Sequence, residues 1–264
     1  MSRFVPSATL EDLEPALWKR FETPQSAGDA PEVTLHKLGL ARQDDHGIWR
    51  PSVSGVLMAS NDPRRFLPNA FIQAVAYRGH SVTLDRQQKA SYQLDAHDIT
   101  GPLDRQVIEA LRFVARNMRI AATKTIGRTD IPQFDLAAVF EALVNAVAHR
   151  DYAIYGSKIR LFADRVELYS PGALAHTMTV DSLPLRQSAR NEVLTSLLAR
   201  CTVPTDLSDF KTPRSAMMDK RGEGVRVILE RTRALAGKDP EYQVLDGEEL
   251  LLIIPAAQVE EVRS

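Results

Sequence analysis

The stretch Asp135–His149 constrains this chain more than any other. Leu136, Val139, Phe140, Leu143, Val144 and Val147 recur at helical spacing and make an apolar stripe. A surface helix would fill its other side with Lys, Glu and Arg. This one carries Ala137, Ala138, Ala142, Ala146 and Ala148 there. After the Asp135 cap the polar groups are Glu141, Asn145 and His149, four residues apart and therefore in one row. Small residues around such a row mean that something approaches that face closely. Taken alone, the row fits two readings equally. It is a helix buried on both sides, with Glu141 and Asn145 satisfied by backbone groups, or it faces a ligand.

The chemistry of the second reading is specific. An Asn side chain supplies one neutral oxygen to a hard cation such as magnesium. A Glu one turn away can orient or deprotonate a water. Three further elements follow in order. A hairpin over Lys158–Tyr169 ends in Ser170-Pro171-Gly172, then comes Arg190-Asn191, and then the run Arg221-Gly222-Glu223-Gly224-Val225 ahead of a helix. A glycine pair at a helix start offers backbone N–H groups to a phosphate.

Glu141-Ala-Leu-Val-Asn145-Ala-Val-Ala-His149-Arg150-Asp151-Tyr152, with these elements, resembles the RecG-like C-terminal ATPase-like domain family. That family is a divergent GHKL (Bergerat) type found in Schlafen AlbA-containing transcriptional regulators. The resemblance runs from about Leu103 to Pro255, and Ser52–Tyr77 resembles the segment preceding that module. It implies an α+β fold: a two-layer sandwich with a mixed, largely antiparallel sheet and helices on one face, plus a smaller N-terminal α/β segment. The expected division is residues 1–100 for that segment and 101–264 for the GHKL-like ATP-binding domain. It also implies ATP and Mg²⁺ as ligands. Glu141 would act on the attacking water and Asn145 would hold Mg²⁺. Asn145, His149, Ser170, Gly172, Arg190, Gly222 and Gly224 would bind the nucleotide. Arg190 and Lys220 are alternatively surface ion-pair partners. His149 is alternatively a polar cap favoured by the helix dipole.

The sequence also departs from the family. GHKL proteins carry Asp-x-Gly-x-Gly at the adenine site. Here Ser170 stands in place of the acid and Leu174 in place of the second glycine. Ser is a weaker acceptor than a carboxylate. Two functions therefore stand side by side: an ATP-binding regulatory module, with hydrolysis left open, and a degenerate dimerisation or scaffold domain. No Walker A motif is present, which argues against a helicase motor. In related proteins an AlbA-like DNA-binding domain precedes this region. DNA contact is thus expected through such a domain or a partner, and a homodimer is the default assembly.

Charge agrees with that expectation. Lys+Arg number 33 against 34 Asp+Glu, a formal net charge of -1, so no global basic field draws in nucleic acid. Arg105, Arg112, Arg116 and Arg119 share one face of a helix over Leu103–Ile120, which reads first as a solvated face. Cys201 stands alone, so no internal disulfide forms. The six histidines show no ligand spacing. With no apolar run of spanning length and no basic-then-apolar leader, a cytoplasmic location without membrane contact is expected.

The remaining elements follow local signals. A capped helix is expected from Thr9 to about Phe21, another over Val33–Leu40, and a strand over Ala70–Tyr77. Ser52–Ala59 fits a short helix or a buried strand. Ala121–Gln133 reads as a polar connector. Ser157–Ala163 and Val166–Tyr169 pair as strands, and Gly224–Ala236 is a helix. Asp246-Gly247 joins strands Tyr242–Leu245 and Glu248–Ile254. Ala173–Lys220, long and polar, with a helix at Asn191–Cys201, reads as a lid.

Overall fold

The structure is a computed structural model that describes residues 3–26, 28–82, 93–123, 129–174, 178–185, 188–204, 210, 214–219 and 222–258. Six strands form one mixed sheet in the order β4-β3-β7-β8-β10-β9. These are β3 (Ile72–Tyr77), β4 (Gln93–Ile99), β7 (Ser157–Leu161), β8 (Arg165–Pro171), β9 (Glu241–Leu245) and β10 (Glu249–Pro255). The β3–β7 pair is parallel and every other pair in the sheet is antiparallel. The fold is therefore α+β with a largely antiparallel open sheet. β3 pairs with β7 and β4 lies beyond it at the sheet edge, and the inward residues Ile72, Ala74 and Ala76 of β3 join the same core as Ile159, Leu168 and Ile254.

Three helices cover the core face. They are α4 (Leu103–Asn117), α5 (Leu136–His149) and α7 (Gly224–Ala236). Asp135 caps α5 by accepting from the N–H groups of Ala137 and Ala138, both at 2.9 Å. The same carboxylate pairs with Arg231 at 2.8 Å. Because Arg231 meets the start of α5 while Gly224 meets Glu141 and Asn145, α7 runs antiparallel along the alanine-rich side of α5. Three short helices and a hairpin belong to the N-terminal part: α1 (Pro15–Trp18), α2 (Pro31–Lys37), α3 (Val53–Ala59), and the hairpin of β1 (Ala41–Gln43) with β2 (Trp49–Pro51). Ser52 caps α3 through Gly55 N–H at 3.0 Å, which resolves its residues as a helix.

Three local expectations change. The helix drawn from Thr9 to Phe21 is broken into a 3-10 turn, α1 and a second 3-10 turn, because Pro15 lacks an N–H and starts a new helix. The helix starting at Leu103 stops at Asn117, whose side chain donates to Phe113 O at 2.9 Å. Ala121–Gln133 is not a featureless connector. It holds the antiparallel pair β5 (Ile120–Thr123) and β6 (Thr129–Pro132). Its β-branched Ile120, Thr123, Thr129 and Ile131 favour extended backbone, a preference masked by the polar composition around them. On α4, Arg112 pairs with Glu109 and Arg116 with Asp95, as a solvated face does. Of the expected lid, the described residues include α6 (Glu192–Leu198), and several, Pro213 and Lys220 among them, lie outside the described residues, as does Arg221. No described helix is long and apolar enough to cross a membrane.

Candidate functional site

A cavity of about 440 Å³ lies between α5, the sheet and the start of α7. Its size is that of a small-molecule site. Glu141, Asn145 and His149 line one wall, one turn apart on α5. Leu168, Leu250, Leu252 and Tyr242 make an apolar floor on the sheet. Ser170, Gly172 and Arg190 stand at the end of β8, and Gly222 and Gly224 at the start of α7. All eight residues singled out from the sequence thus border one cavity.

At the α7 end the fit is tight. A methyl group at Gly224 would lie 3.1 Å from Glu141 Oε2 and 3.2 Å from Asn145 Nδ2. Glycine lets the helix N-terminus come down onto the polar row. The N-cap residue Glu223 makes no side-chain bond to the first turn of α7. Gly222, at φ 71°, turns the chain into this start.

Glu141 is 4% exposed. Burial pushes its carboxyl up to about 7, against the lowering effect of the Arg214 guanidinium, whose Nη1 lies 2.6 Å from Glu141 Oε1. The nearby Asp219 carboxylate pushes in the same direction as burial. Arg214 and Asp219 also line the cavity, and no sequence signal singled out either one. Each is an isolated charge in a polar stretch without periodicity.

The β8 end is built differently. Ser170 donates its hydroxyl proton to Ala146 O at 3.0 Å, which leaves the oxygen lone pairs to accept from a ligand. Gly172 has φ 114°, and a methyl there would lie 3.2 Å from Asp151 N and 3.3 Å from Arg190 Cζ. Arg190 donates to Ala173 O and lies 3.9 Å from Asp151 Oδ2. His149 is held below its ordinary value by burial first and by Arg190 second. It is therefore neutral at pH 7 and is not a charged cap. Asn191 does the capping instead: its Nδ2 donates to Ala148 O and Arg150 O, both at 2.9 Å.

Arg150 and Tyr152, past the end of the helix, do not line the cavity and bond to the protein instead. Arg150 is fully buried and donates to Phe71 O at 3.0 Å, to Tyr155 O at 3.1 Å and to Asn69 O. Its guanidinium lies 4.6 Å from the Tyr152 ring centre. Tyr152 donates to Val147 O at 2.8 Å.

Residues 156–254 match the family model described as "Putative ATP-dependent DNA helicase recG C-terminal". This segment is similar to that ATPase-like domain. It is the family to which the order of motifs points. The match takes in Ser170, Gly172, Arg190, Gly222 and Gly224 and begins after the row on α5. No curated protein matches the chain. Among solved structures, the crystal structure of the DIP2311 protein from Corynebacterium diphtheriae is similar in fold, with 20% identity and a TM-score of 0.63. The similarity covers 97% of this chain and 47% of that one, so this chain spans about half the length of its structural relative. The similarity to an ATPase-like domain supports a nucleotide-binding module as the broad class of this segment.

Among the described residues no cluster of three or more His, Cys, Asp or Glu could hold a metal by itself.

Proposed function

We propose that this chain is an ATP-binding regulatory module that takes Mg²⁺ with its nucleotide. The observation that carries the proposal is the meeting of the Glu141–Asn145–His149 row, the Ser170–Gly172 corner and the Gly222–Gly224 helix start around one cavity of about 440 Å³. The base lies on the apolar floor, with Ser170 as its acceptor. The phosphates lie at the α7 N-terminus, where the helix dipole and the N–H groups of the first turn favour anions. Asn145 holds Mg²⁺, and Glu141 orients or deprotonates a water in slow hydrolysis. His149, Arg190 and Gly172 shape the base end. A bound magnesium ion would offset phosphate charge beside Glu141 and Asp219. DNA contact, through a domain or partner outside this chain, and homodimerisation are the proposed outputs in a transcriptional regulator. Cytoplasmic location follows from that role.

A second reading has its own support. Glu141 is paired with Arg214, Ser170 replaces an acid, and Leu174 lines the cavity where a glycine is usual. These favour a vestigial pocket in a dimerisation or scaffold domain. Calorimetric titration of ATP with and without Mg²⁺ separates the two. Saturable, Mg²⁺-dependent binding supports the module, and no heat at millimolar nucleotide supports the scaffold.

A further inference from the structure

The two oxygens of the Glu141 carboxylate have different surroundings. Oε1 is 2.6 Å from Arg214 Nη1, and the side chains are 15% and 5% exposed for Arg214 and Glu141. Oε2 faces Gly224, with the Asn145 amide beside it. Arg214 is itself well anchored. The residues after it pair antiparallel with the segment that follows α6: Val203 N–H donates to Ser215 O at 3.0 Å and Met217 N–H to Cys201 O at 2.9 Å. Met217 is buried in the core. A charge-assisted bond between two largely buried groups fixes the geometry of both. A Glu side chain without such an anchor samples several rotamers, and a small displacement of a reacting group is enough to slow a reaction strongly.

We infer that Arg214 is the positioning residue of this site: it holds Glu141 by Oε1 so that Oε2 is the oxygen that meets the attacking water. The inference rests on the nucleotide reading above. In the step it serves, the water oxygen bonds to the terminal phosphorus and the bond to the bridging oxygen breaks. That electron pair leaves with the diphosphate, and the water proton passes to Oε2. Arg214 touches neither the water nor the phosphate. It acts through Glu141, and Gly224 leaves the space in front of Oε2 that a methyl group would fill.

The test uses the full chain with Arg214→Gln, Arg214→Lys, Glu141→Gln and the double variant Arg214→Gln/Glu141→Gln. Three quantities are read: Mg²⁺–ATP affinity by calorimetry, turnover at saturating ATP, and the Gly224 and Asn145 amide resonances in ¹⁵N-labelled protein. Affinity is expected to stay within about threefold in both Arg214 variants, because only the reacting geometry changes. Turnover should fall about 100-fold in Arg214→Gln, the scale of a lost general base, with Arg214→Lys intermediate. The double variant should turn over no more slowly than Glu141→Gln, and Arg214→Gln should shift both resonances. Unchanged turnover in Arg214→Gln overturns the inference. So do affinity and turnover falling together, an additive double variant, unmoved resonances, or a parent that binds ATP and never hydrolyses it. Failure of the nucleotide reading shows separately, as a flat titration of the parent, and it takes this inference with it.

Discussion

Two halves of one twelve-residue run, Glu141–Tyr152, do opposite work. From Glu141 to His149 the polar side chains face the cavity. Past His149, Arg150 gathers the carbonyls of Asn69, Phe71 and Tyr155, and Tyr152 bonds back to Val147 O. One half lines the cavity, and the other ties the end of α5 to the loop before β3 and the loop before β7. Residues that stand together as one motif are therefore divided between cavity wall and anchor. The boundary falls where the helix ends.

The largest effect should come from the anchoring half. Arg150→Met removes the donor from three backbone carbonyls, and leaving such groups without partners costs about 1–3 kcal/mol each. A loss of about 3 kcal/mol or more is expected, read as a lower urea midpoint. If Arg150→Met unfolds at the parent's midpoint, the anchoring half is not an anchor.

A smaller effect sharpens the cavity side. Ser170→Asp replaces a hydroxyl that donates to Ala146 O with a carboxylate that cannot donate. Setting that charge against a carbonyl should destabilise the fold by about 1–3 kcal/mol, even though the acid is the usual residue at an adenine site. An equally or more stable Ser170→Asp chain would show that the Ser170–Ala146 bond does not order this corner.

The smallest effect concerns pH. Burial raises Glu141 to about 7 from an ordinary value of 4.5. The folded chain then keeps a proton that the unfolded chain has already released between those values. The stability this provides is fully present below about 4.5 and is lost as pH rises through about 7. The parent should therefore lose stability relative to Glu141→Gln between pH 5 and pH 8. The opposite trend in urea unfolding would mean that Arg214, not burial, governs this carboxyl.

What the sequence made legible depended on whether the signal was local. The helix Gly224–Ala236 begins and ends at the expected residues because a glycine pair precedes it and Gly237, in the left-handed region, stops it. Asp135 marks the start of α5 through its own side chain. Asp246 and Gly247 both take positive φ, at 49° and 71°, as expected of a turn, although Leu245 pairs with Glu249 and three residues rather than two connect the strands. Of the eight cavity residues, Glu141, Asn145 and His149 stood out as a polar row among small residues, whereas Ser170, Gly172, Arg190, Gly222 and Gly224 were expected from the family resemblance. The parallel pairing of β3 with β7 was not legible, since its partners Ile72 and Ser157 lie far apart in sequence with helices between them. Arg214 and Asp219 were hidden for the same reason: they gain meaning only when the chain brings them back to Glu141. Asn191 stood out as half of a pair with Arg190, but nothing local shows that its amide closes the end of α5.

The central claim is that the cavity half of the run binds Mg²⁺–nucleotide through Asn145. Calorimetric titration of ATP, with and without Mg²⁺, into the parent and Asn145→Ala tests it most directly. The account predicts saturable Mg²⁺-dependent binding to the parent, and none to an Asn145→Ala chain that melts at the parent's temperature. Equal binding by both proteins, or none by the parent at millimolar ATP, would contradict it.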